Sequence, residues 1–214
     1  MSSSAVNEPV KRHRRRNSAE QLLDAVSKIL TERNSTDVSL SDVAEEAKLN
    51  SALIKYHYGN KEGLLLALVR RNAEVAMAQL QHLVEMAIPI EQKIRFHVYG
   101  VLSTYARYPY LNRLIHELLE SEDENVAREV SDFFIKPLVT AEEKLLQEGV
   151  ESGLFRYVKP MHFYYAIIGA CDQFFSGRKP LKYVFGVDDI SPETREAYAE
   201  FVADMAIRVL RKTG

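Results

Sequence analysis

Apolar residues recur at helical spacing along nearly the whole chain after residue 17. In the first such stretch they lie three or four positions apart, as in Leu22, Val26 and Ile29, and similar stripes follow up to residue 212. No convincing run alternates apolar and polar residues as a half-buried strand would. The pattern therefore predicts an all-α protein, and the breaks between the stripes divide it into about nine helices.

The composition allows a folded protein with a real core. The chain has 214 residues, of which 46% are hydrophobic, and this suits one compact domain or two small ones. Cys171 is the lone cysteine, which excludes a disulfide framework. No apolar run reaches the roughly 18 residues that cross a bilayer, and no apolar segment of a signal peptide follows the first basic residues. We expect a protein of the reducing cytoplasm with no membrane partner.

Positive charge is concentrated near the start of the chain. The net charge of −2 predicts no general affinity for nucleic acid, so the distribution of charge matters more. Residues 11–16, KRHRRR, hold five full positive charges in six positions. Such a tract is typical of an arm that binds polyanions, and we assign residues 1–17 to a disordered basic arm. A tail that only keeps the protein in solution has the same composition.

Capping signals mark the first two helices. Ser18 and Gln21 form a capping box in front of an apolar stripe that lasts until the turn at 34–36, which predicts the first helix. Ser39 and Asp42 form a second box, which opens a short helix with its apolar residues at i, i+3, i+4 and i+7.

Two further helices follow closely. Asn50 is a good N-cap for a helix over 51–57, and Asn60 caps a fourth helix that runs from Lys61 toward residue 86. Pro89 closes this first block. A helix of two turns cannot fold alone because nucleation is costly, so the two helices before it must support it.

The rest of the chain reads as longer helices. The segment 161–177 is mostly apolar, and we expect it to be buried nearly all round. Pro137 lies inside a long helical segment and should kink it. The later stripes predict helices that end before Pro109 and that cover 111–119, 124–149, 161–177 and 192–212.

The short third helix has two different faces. At 100° per residue, Ile54 and Tyr58 point one way, while Ala52, Leu53 and Tyr56 point the other way. Two helices joined by a tight turn of about four residues, the second with a polar outer face, predict a helix-turn-helix.

The outer face suits a DNA duplex. Small residues near the start of the helix let the backbone approach base edges, an exposed Leu53 suits a thymine methyl, and Lys61 adds its charge to the N-terminal end of the fourth helix. The alternative is that the aromatic residues fill a contact between helices and that Lys61 is a solvated surface charge. The residues that we expect at the DNA are Ser39, Ser51, Ala52, Leu53, Lys55, Tyr56, His57 and Lys61.

The segment SLSDVAEEAKLNSALIKYHYGNKEGLLLALV resembles the DNA-binding region of tetracycline-repressor (TetR) family regulators. That family has the pattern T-x-x-x-I-A-x-x-A-G-V-S-x-x-x-L-Y-x-H-F-x-x-K-x-x-L, and the resemblance covers about residues 19–70. Two positions depart from it. Lys48 replaces the turn glycine, which strains a left-handed position by about 1 kcal/mol. Lys55 replaces a tyrosine that often contacts phosphate in relatives, so a phosphate partner remains but its geometry changes. The other positions that match are Ser39, Val43, Ala44, Ala47, Leu49, Ile54, His57, Tyr58, Lys61 and Leu64.

The resemblance implies a domain organisation and a homodimer. Residues 18–64 would form the helix-turn-helix DNA-binding domain, and residues 65–214 a larger helical domain for ligand binding and dimerisation. Two recognition helices would then enter successive major grooves of a near-palindromic double-stranded operator, because one short helix offers too little contact for specific affinity. Family dimers usually form through the last two helices, whose apolar stripes could instead belong to the core of one chain. The candidates for the dimer interface are Phe163, Ile167, Ala170, Phe174, Tyr198, Phe201, Val202, Met205 and Val209.

The resemblance also implies a small-molecule effector in the C-terminal half. Asp172 and Gln173 interrupt an apolar helix and need a partner, which is either the ligand or a second subunit. The aromatic candidates could equally be core residues, and His116 could simply form surface pairs along its helix. The pocket candidates are Tyr105, Tyr108, Arg113, His116, Glu117, Phe133, Phe134, His162, Tyr165, Asp172 and Gln173.

Catalytic patterns are missing from the sequence. Residues 116–120, HELLE, resemble the start of a zinc-protease helix but lack its second histidine. We therefore expect no enzyme, no catalytic residue, no cofactor and no metal, with a metal-dependent hydrolase at His116 and Glu117 as a remote alternative. The sequence predicts a transcriptional repressor that leaves its operator when a small effector binds. The main alternative is an all-α dimeric ligand-binding or interaction protein that does not read DNA.

Overall fold

The structure, a computed structural model, describes the backbone of residues 8–212 and the side chains of residues 18–212. Apart from one isolated bridge between Phe155 and Arg211, the described residues contain no β-structure. The expected all-α fold is therefore confirmed. The helices are α1 (Glu8–Arg33), α2 (Leu40–Ala47), α3 (Ala52–Tyr58), α4 (Lys61–Glu85), α5 (Ile90–Arg107), α6 (Leu111–Leu119), α7 (Glu124–Val130, continued by Ser131–Ile135 and Lys136–Glu151), α8 (Pro160–Ser176), α9 (Arg178–Phe185) and α10 (Pro192–Leu210).

Helix α1 begins earlier than the capping box predicted. It begins at Glu8 instead of at Ser18, so the tract at 11–16 is helical within the described backbone. Arginine, lysine and glutamate are good helix formers, and extending an existing helix needs no new nucleus. Residues 1–7 of the expected arm lie outside the described residues.

Helix α7 runs through Pro137 without ending. The five residues before Lys136 form a wider π-helical turn, in which the Lys136 amide donates to the Ser131 carbonyl. Proline lacks the amide hydrogen of a regular turn and clashes with the carbonyl four residues earlier. A local π-turn absorbs this conflict, since it shifts the hydrogen-bond ladder by one residue.

Helix α9 was not predicted, and it raises the number of helices in the described residues to ten. It covers RKPLKYVF, where the apolar stripe is too short to stand out in the sequence. None of its residues is buried, and Tyr183, Val184 and Phe185 are largely exposed.

The buried side chains form two main cores. The head core joins α1–α4 to α6 and the start of α7, and it includes Leu30, Ile54, Leu68 and Leu114. The body core joins α5, α8 and α10 to the later part of α7. The head core therefore extends beyond residue 64, the predicted domain boundary, and α6 packs against the helix-turn-helix. None of the helices in the described part of the chain combines the length and the apolar character that crossing a membrane requires.

Candidate nucleic-acid interface and effector cavity

The turn between α2 and α3 is fixed by short-range hydrogen bonds. The Ser39 hydroxyl accepts from the Asp42 amide at 3.1 Å, which starts α2. Lys48 ends α2 with φ of 54°, in the left-handed region expected where the family pattern has glycine. The Asn50 side chain then accepts from the Ala52 amide at 2.8 Å. These bonds hold α3 at a set angle to α2.

The inner face of α3 is anchored to the head core. Ile54 has no exposed surface, and the Tyr58 hydroxyl donates to the Ala19 carbonyl of α1 at 2.8 Å. Burial raises the pKa of Tyr58 to about 12, so the phenol stays neutral and keeps its hydrogen for this bond. Both side chains point inward, as the helical spacing predicted.

The outer face of α3 is open to solvent. Ser51, Ala52 and Lys55 are exposed, and Tyr56 is 63% exposed with its ring edge-on to the His57 ring. Leu53 is only partly exposed because it also packs against the head core. The face therefore presents small groups near its start, with a cation and an aromatic side chain further along.

His57 does not simply project toward a partner. Its Nε2 atom lies 2.9 Å from the Ser18 hydroxyl of α1, and the side chain is partly buried. Ser18 thus contacts α3 from inside α1 and does not cap that helix, which corrects its predicted role. One ring nitrogen of His57 is engaged within the head, because α1 extends past Ser18 and runs beside α3.

Lys61 lies at the start of α4, next to α3. The Asn60 side chain accepts from the Gly63 amide at 2.7 Å and caps this helix as expected. Lys61 is partly exposed, and neither it nor Lys55 has an ion-pair partner within residues 18–212. Two cations therefore flank the exposed face of α3.

Gly63 is a requirement of the head that the sequence analysis missed. A Cβ atom at this position would lie 2.1 Å from the Tyr58 carbonyl oxygen. The start of α4 thus approaches the end of α3 more closely than any other residue permits. A glycine inside the first turn of a helix is the signal that could have revealed this contact.

Ion pairs tie other basic residues of the head to α2. Lys28 bonds to Glu46 and Arg33 to Asp42, each at 2.8 Å. The hydrogen bond from Arg33, together with the one from Ser39, holds the pKa of Asp42 below its ordinary value. These cations brace α1 against α2, so they are less available to DNA than Lys55 and Lys61.

A cavity of about 100 Å³ lies between α4, α5 and α7, next to the body core. We call the part of the chain around the head core the head, and the part around the body core the body. Its wall is mostly apolar, and His97 of α5 is its one ionisable side chain apart from the Tyr105 phenol. The residues that line it are Ala76, Met77, Gln79, Leu80, Leu83, Phe96, His97, Gly100, Val101, Thr104, Tyr105, Leu111, Phe134, Leu138 and Ile168.

Two of the eleven pocket candidates, Tyr105 and Phe134, line this cavity. The apolar stripe of α6 packs into the head core, so its polar face turns outward, and Arg113 donates to the side chain of Asn34 at 2.6 Å. Phe133 lies under the Arg70 guanidinium, 4.4 Å from ring centre to Cζ. The candidates outside the cavity wall are Tyr108, Arg113, His116, Glu117, Phe133, His162, Tyr165, Asp172 and Gln173, of which Arg113, His116, Glu117, His162, Tyr165 and Gln173 are exposed.

A buried polar pair next to the cavity was missed. His97 Nε2 lies 2.8 Å from Glu142 Oε1, and both side chains are almost completely buried. Lys93, one turn earlier on α5, is also buried and donates to the Val84 carbonyl and to Glu148, each at 2.8 Å. Polar residues four apart on the apolar face of α5 were the available signal.

The dimer candidates divide into two groups. Phe163, Ile167 and Val202 are buried in the body core, which removes them from any outer face and corrects their assignment. Ala170, Phe174 and Tyr198 are partly buried between α8 and α10, where the rings of Phe174 and Tyr198 stack with centroids 4.0 Å apart. The exposed members are Phe201, Met205 and Val209.

Helix α8 is exposed along one face, contrary to the expectation that it would be buried all round. Met161 and Tyr165 are 56% and 70% exposed, and Gly169 and Gln173 continue the same line. The sequence did not reveal this exposed face because most of its side chains are apolar or small. Together with α10 it forms an apolar surface on the outside of the body.

The described residues gather no group of three or more metal-binding side chains. A short, outward-facing helix after a tight turn, carried on a larger helical body with an apolar cavity, defines a helix-turn-helix transcriptional regulator. The chain belongs to the tetracycline-repressor family. Residues 22–68 match "Bacterial regulatory proteins, tetR family", and residues 87–212 match "Tetracyclin repressor-like, C-terminal domain".

Individual relatives agree with this assignment. The chain is 24% identical over 200 residues to the HTH-type transcriptional repressor NicS of Pseudomonas putida, covering 90% of this chain and 92% of NicS. FadR of Bacillus subtilis, solved with stearoyl-CoA, shares the fold with a TM-score of 0.70 at 16% identity, covering 90% of this chain and 99% of FadR. A tetR-family regulatory protein of Rhodococcus RHA1 gives a TM-score of 0.72 at 15% identity, covering 92% and 98%.

Proposed function

We propose that this protein is a dimeric repressor that binds a near-palindromic operator in the cytoplasm through α3 and releases it when a small effector enters the body. One observation carries the proposal. Helix α3 buries Ile54 and leaves Lys55 and Tyr56 exposed, with the cation of Lys61 beside them at the start of α4. The buried side of α3 holds the helix in place, and its exposed side can contact phosphates and bases.

The DNA contact can be tested with the full chain and a pool of random duplex DNA. Selection should return one preferred sequence with two related halves, and the logarithm of its binding constant should fall linearly with the logarithm of the salt concentration. A protein that selects no sequence and shows no salt-sensitive binding to DNA would instead be the all-α dimeric interaction protein that does not read DNA.

The exposed apolar face of α8 and α10 supports the proposal that a second subunit packs there. Phe201, Met205 and Val209 lie at i, i+4 and i+8 on α10, and Met161 and Tyr165 extend the surface on α8. Large apolar patches of this kind usually mark an interface. We expect Phe201→Glu to give a monomer in sedimentation equilibrium, whereas Val75→Glu, at an exposed apolar position on α4, should leave the dimer intact.

The cavity, which is small, supports the proposal that the body binds an effector. About 100 Å³ is below the 300–1,000 Å³ range of ordinary ligand pockets, so the bound molecule is compact or the cavity opens around it. FadR was solved with stearoyl-CoA, a far larger molecule. This comparison supports a ligand role for the body without carrying over the ligand.

Helix α6 offers a route from the cavity to the head. Leu111 belongs both to the cavity wall and to the head core. Its neighbour Tyr110 is completely buried, and its hydroxyl lies 2.7 Å from Ser27 of α1 and 3.0 Å from Asn72 of α4. A ligand that shifts Leu111 would therefore move the side chain that joins α1 to α4.

Tyr110→Phe tests this route because it removes only the hydroxyl. We expect the variant to bind the selected operator. The change in operator affinity that the effector causes should be several-fold smaller than in the unmodified protein, since coupling energies are typically 1–3 kcal/mol. Tyr108→Phe is the control, because Tyr108 also lies just before α6 but is only partly buried, and no hydrogen bond of its hydroxyl is found in the described residues. Equal coupling in both variants would contradict the route.

A further inference from the structure

The carboxyl group of Glu142 is only half satisfied. Glu142 has no exposed surface, and its Oε1 atom contacts His97. Its Oε2 atom is buried and has no hydrogen-bond partner; among the described side chains it is the single buried polar atom in this condition. Leaving a buried acceptor without a donor is costly, and the cost is larger when the acceptor is charged.

Within residues 18–212, no cation is bonded to Glu142 Oε2. Lys93 is the nearest buried cation along α5, and its ammonium is already bonded to the Val84 carbonyl and to Glu148. The His97 ring makes its one hydrogen bond within residues 18–212 to Glu142 Oε1, so it cannot also serve Oε2. Since none of the described residues donates to Oε2, this atom is open to a donor from a bound molecule.

Two carboxylates, Asp172 and Glu142, act on groups at and near the cavity wall. Burial, and then the charges of Asp172 and Glu142, raise the pKa of the Tyr105 hydroxyl well above its ordinary value, and the thiol pKa of Cys171 rises to about 12 for the same reasons. The pKa of Tyr164 is also raised, first by burial and then by Glu142. No basic side chain offsets these effects at any of the three groups. An anion placed here would meet repulsion, whereas a cation would be attracted.

We propose that the cavity takes a small organic amine, whose apolar part fills the space lined by α4, α5 and α7 and whose protonated nitrogen donates to Glu142 Oε2 beside His97. The inference rests on the proposed function only in that the cavity is taken as the effector site. Glu142 does not itself line the cavity, so a side chain near His97 must move to admit the nitrogen. That movement supplies the difference between two states that a switch requires.

Three probes that share one ring differ in the charge of the group attached to it. An apolar cavity of about 150 Å³ holds a benzene ring, so a five-membered ring is a suitable body for this slightly smaller site. We would titrate the full chain with cyclopentylamine, cyclopentanol and cyclopentanecarboxylate and measure binding by ligand-observed NMR. The amine should bind about tenfold more tightly than the alcohol, and the carboxylate should bind most weakly.

Two variants then assign the preference. Glu142→Gln keeps the side-chain volume and removes the charge, so the amine should lose its advantage over the alcohol. Glu143→Gln, an exposed neighbour on α7, should retain it. Ala76→Leu narrows the cavity without touching Glu142 and should weaken all three probes together, which keeps the test valid if Glu142→Gln proves unstable.

The outcomes are distinct. Equal or tighter binding of the carboxylate, absence of amine binding, or an amine preference that survives Glu142→Gln would each overturn the proposal. Binding of the selected operator without any probe is measured on the same samples. Intact operator binding together with no amine binding rejects the ligand class and leaves the regulator function standing, whereas loss of operator binding in the unmodified chain rejects the function itself.

Discussion

Helix α3 exposes Lys55 and Tyr56, whereas α5 keeps Lys93 and His97 inside the protein. The turn before α3 is set by bonds to residues close in sequence, and two long-range bonds, His57 to Ser18 and Tyr58 to Ala19, hold the end of the helix. The polar groups of α5 depend on partners about 50 residues away on α7. The head is thus held by many local contacts, and the cavity wall by a few long-range ones.

The two regions therefore suit different functions. A surface that contacts DNA benefits from a fixed shape, because binding then costs little ordering entropy. A region that responds to a ligand needs contacts that one molecule can exchange for others. The unpaired oxygen of Glu142 beside a small cavity provides such contacts, and nothing comparable is found among the described residues of α3.

The largest effect should follow from breaking the buried pair of the body. His97→Leu leaves Glu142 without its partner, and we expect the free energy of unfolding to fall by about 3–5 kcal/mol. Adding Glu142→Leu should recover most of that loss, since an apolar pair of similar volume replaces the charges. Urea denaturation of both variants measures this. A double variant no more stable than the single one would mean that the pair does not act as a unit.

In the head, the largest effect should come from packing. Ile54→Ala removes a completely buried side chain, and we expect a loss of about 2–5 kcal/mol in the free energy of unfolding. Tyr56→Ala, two positions further on and largely exposed, should change it by less than about 0.5 kcal/mol. Equal losses in urea denaturation would show that α3 does not turn these two faces inward and outward.

The head could be predicted from the sequence because its determinants are local. The side chains of Ser39 and Asn50 accept from helix amides within three residues of themselves, and the inward side chains Ile54 and Tyr58 follow from a spacing of four. The structure departs from expectation where a distant helix intervenes. His57 contacts Ser18, 39 residues away, because α1 extends beyond its predicted start.

The cavity could not be predicted in the same way. His97 and Glu142 are 45 residues apart, and only the packing of α5 on α7 brings them together. Spacing along one helix shows which residues share a face, but it does not show which other helix covers that face. Arg113 and His116 therefore resembled pocket residues, although α6 turns its apolar side to the head core and leaves them outside.

A smaller effect is expected from a single phosphate contact. Lys61→Ala should weaken binding of the selected operator by about tenfold and reduce its salt dependence, because a cation at a helix N-terminus is lost. The loss should be similar on all sequences, whereas Leu53→Ala should change the base preference. Lys144→Ala, at an exposed position on α7, is the matched control. Unchanged affinity in both head variants, measured by fluorescence anisotropy, would contradict the docking of α3 on DNA.

The smallest effect concerns the turn that orients α3. Lys48 has φ of 54°, a conformation that costs a residue with a side chain about 1–2 kcal/mol. Glycine avoids this strain but makes the unfolded chain more flexible, which reduces the gain in the free energy of unfolding by about 0.4–1 kcal/mol. We therefore expect Lys48→Gly to stabilise the protein by about 0.5–1 kcal/mol in urea denaturation. Lys48→Ala should give no such gain, because alanine keeps the strained side-chain carbon. If alanine stabilises as much as glycine, the cost at this position comes from the charge of Lys48 and not from its backbone, and the rigidity of the head does not depend on a strained turn.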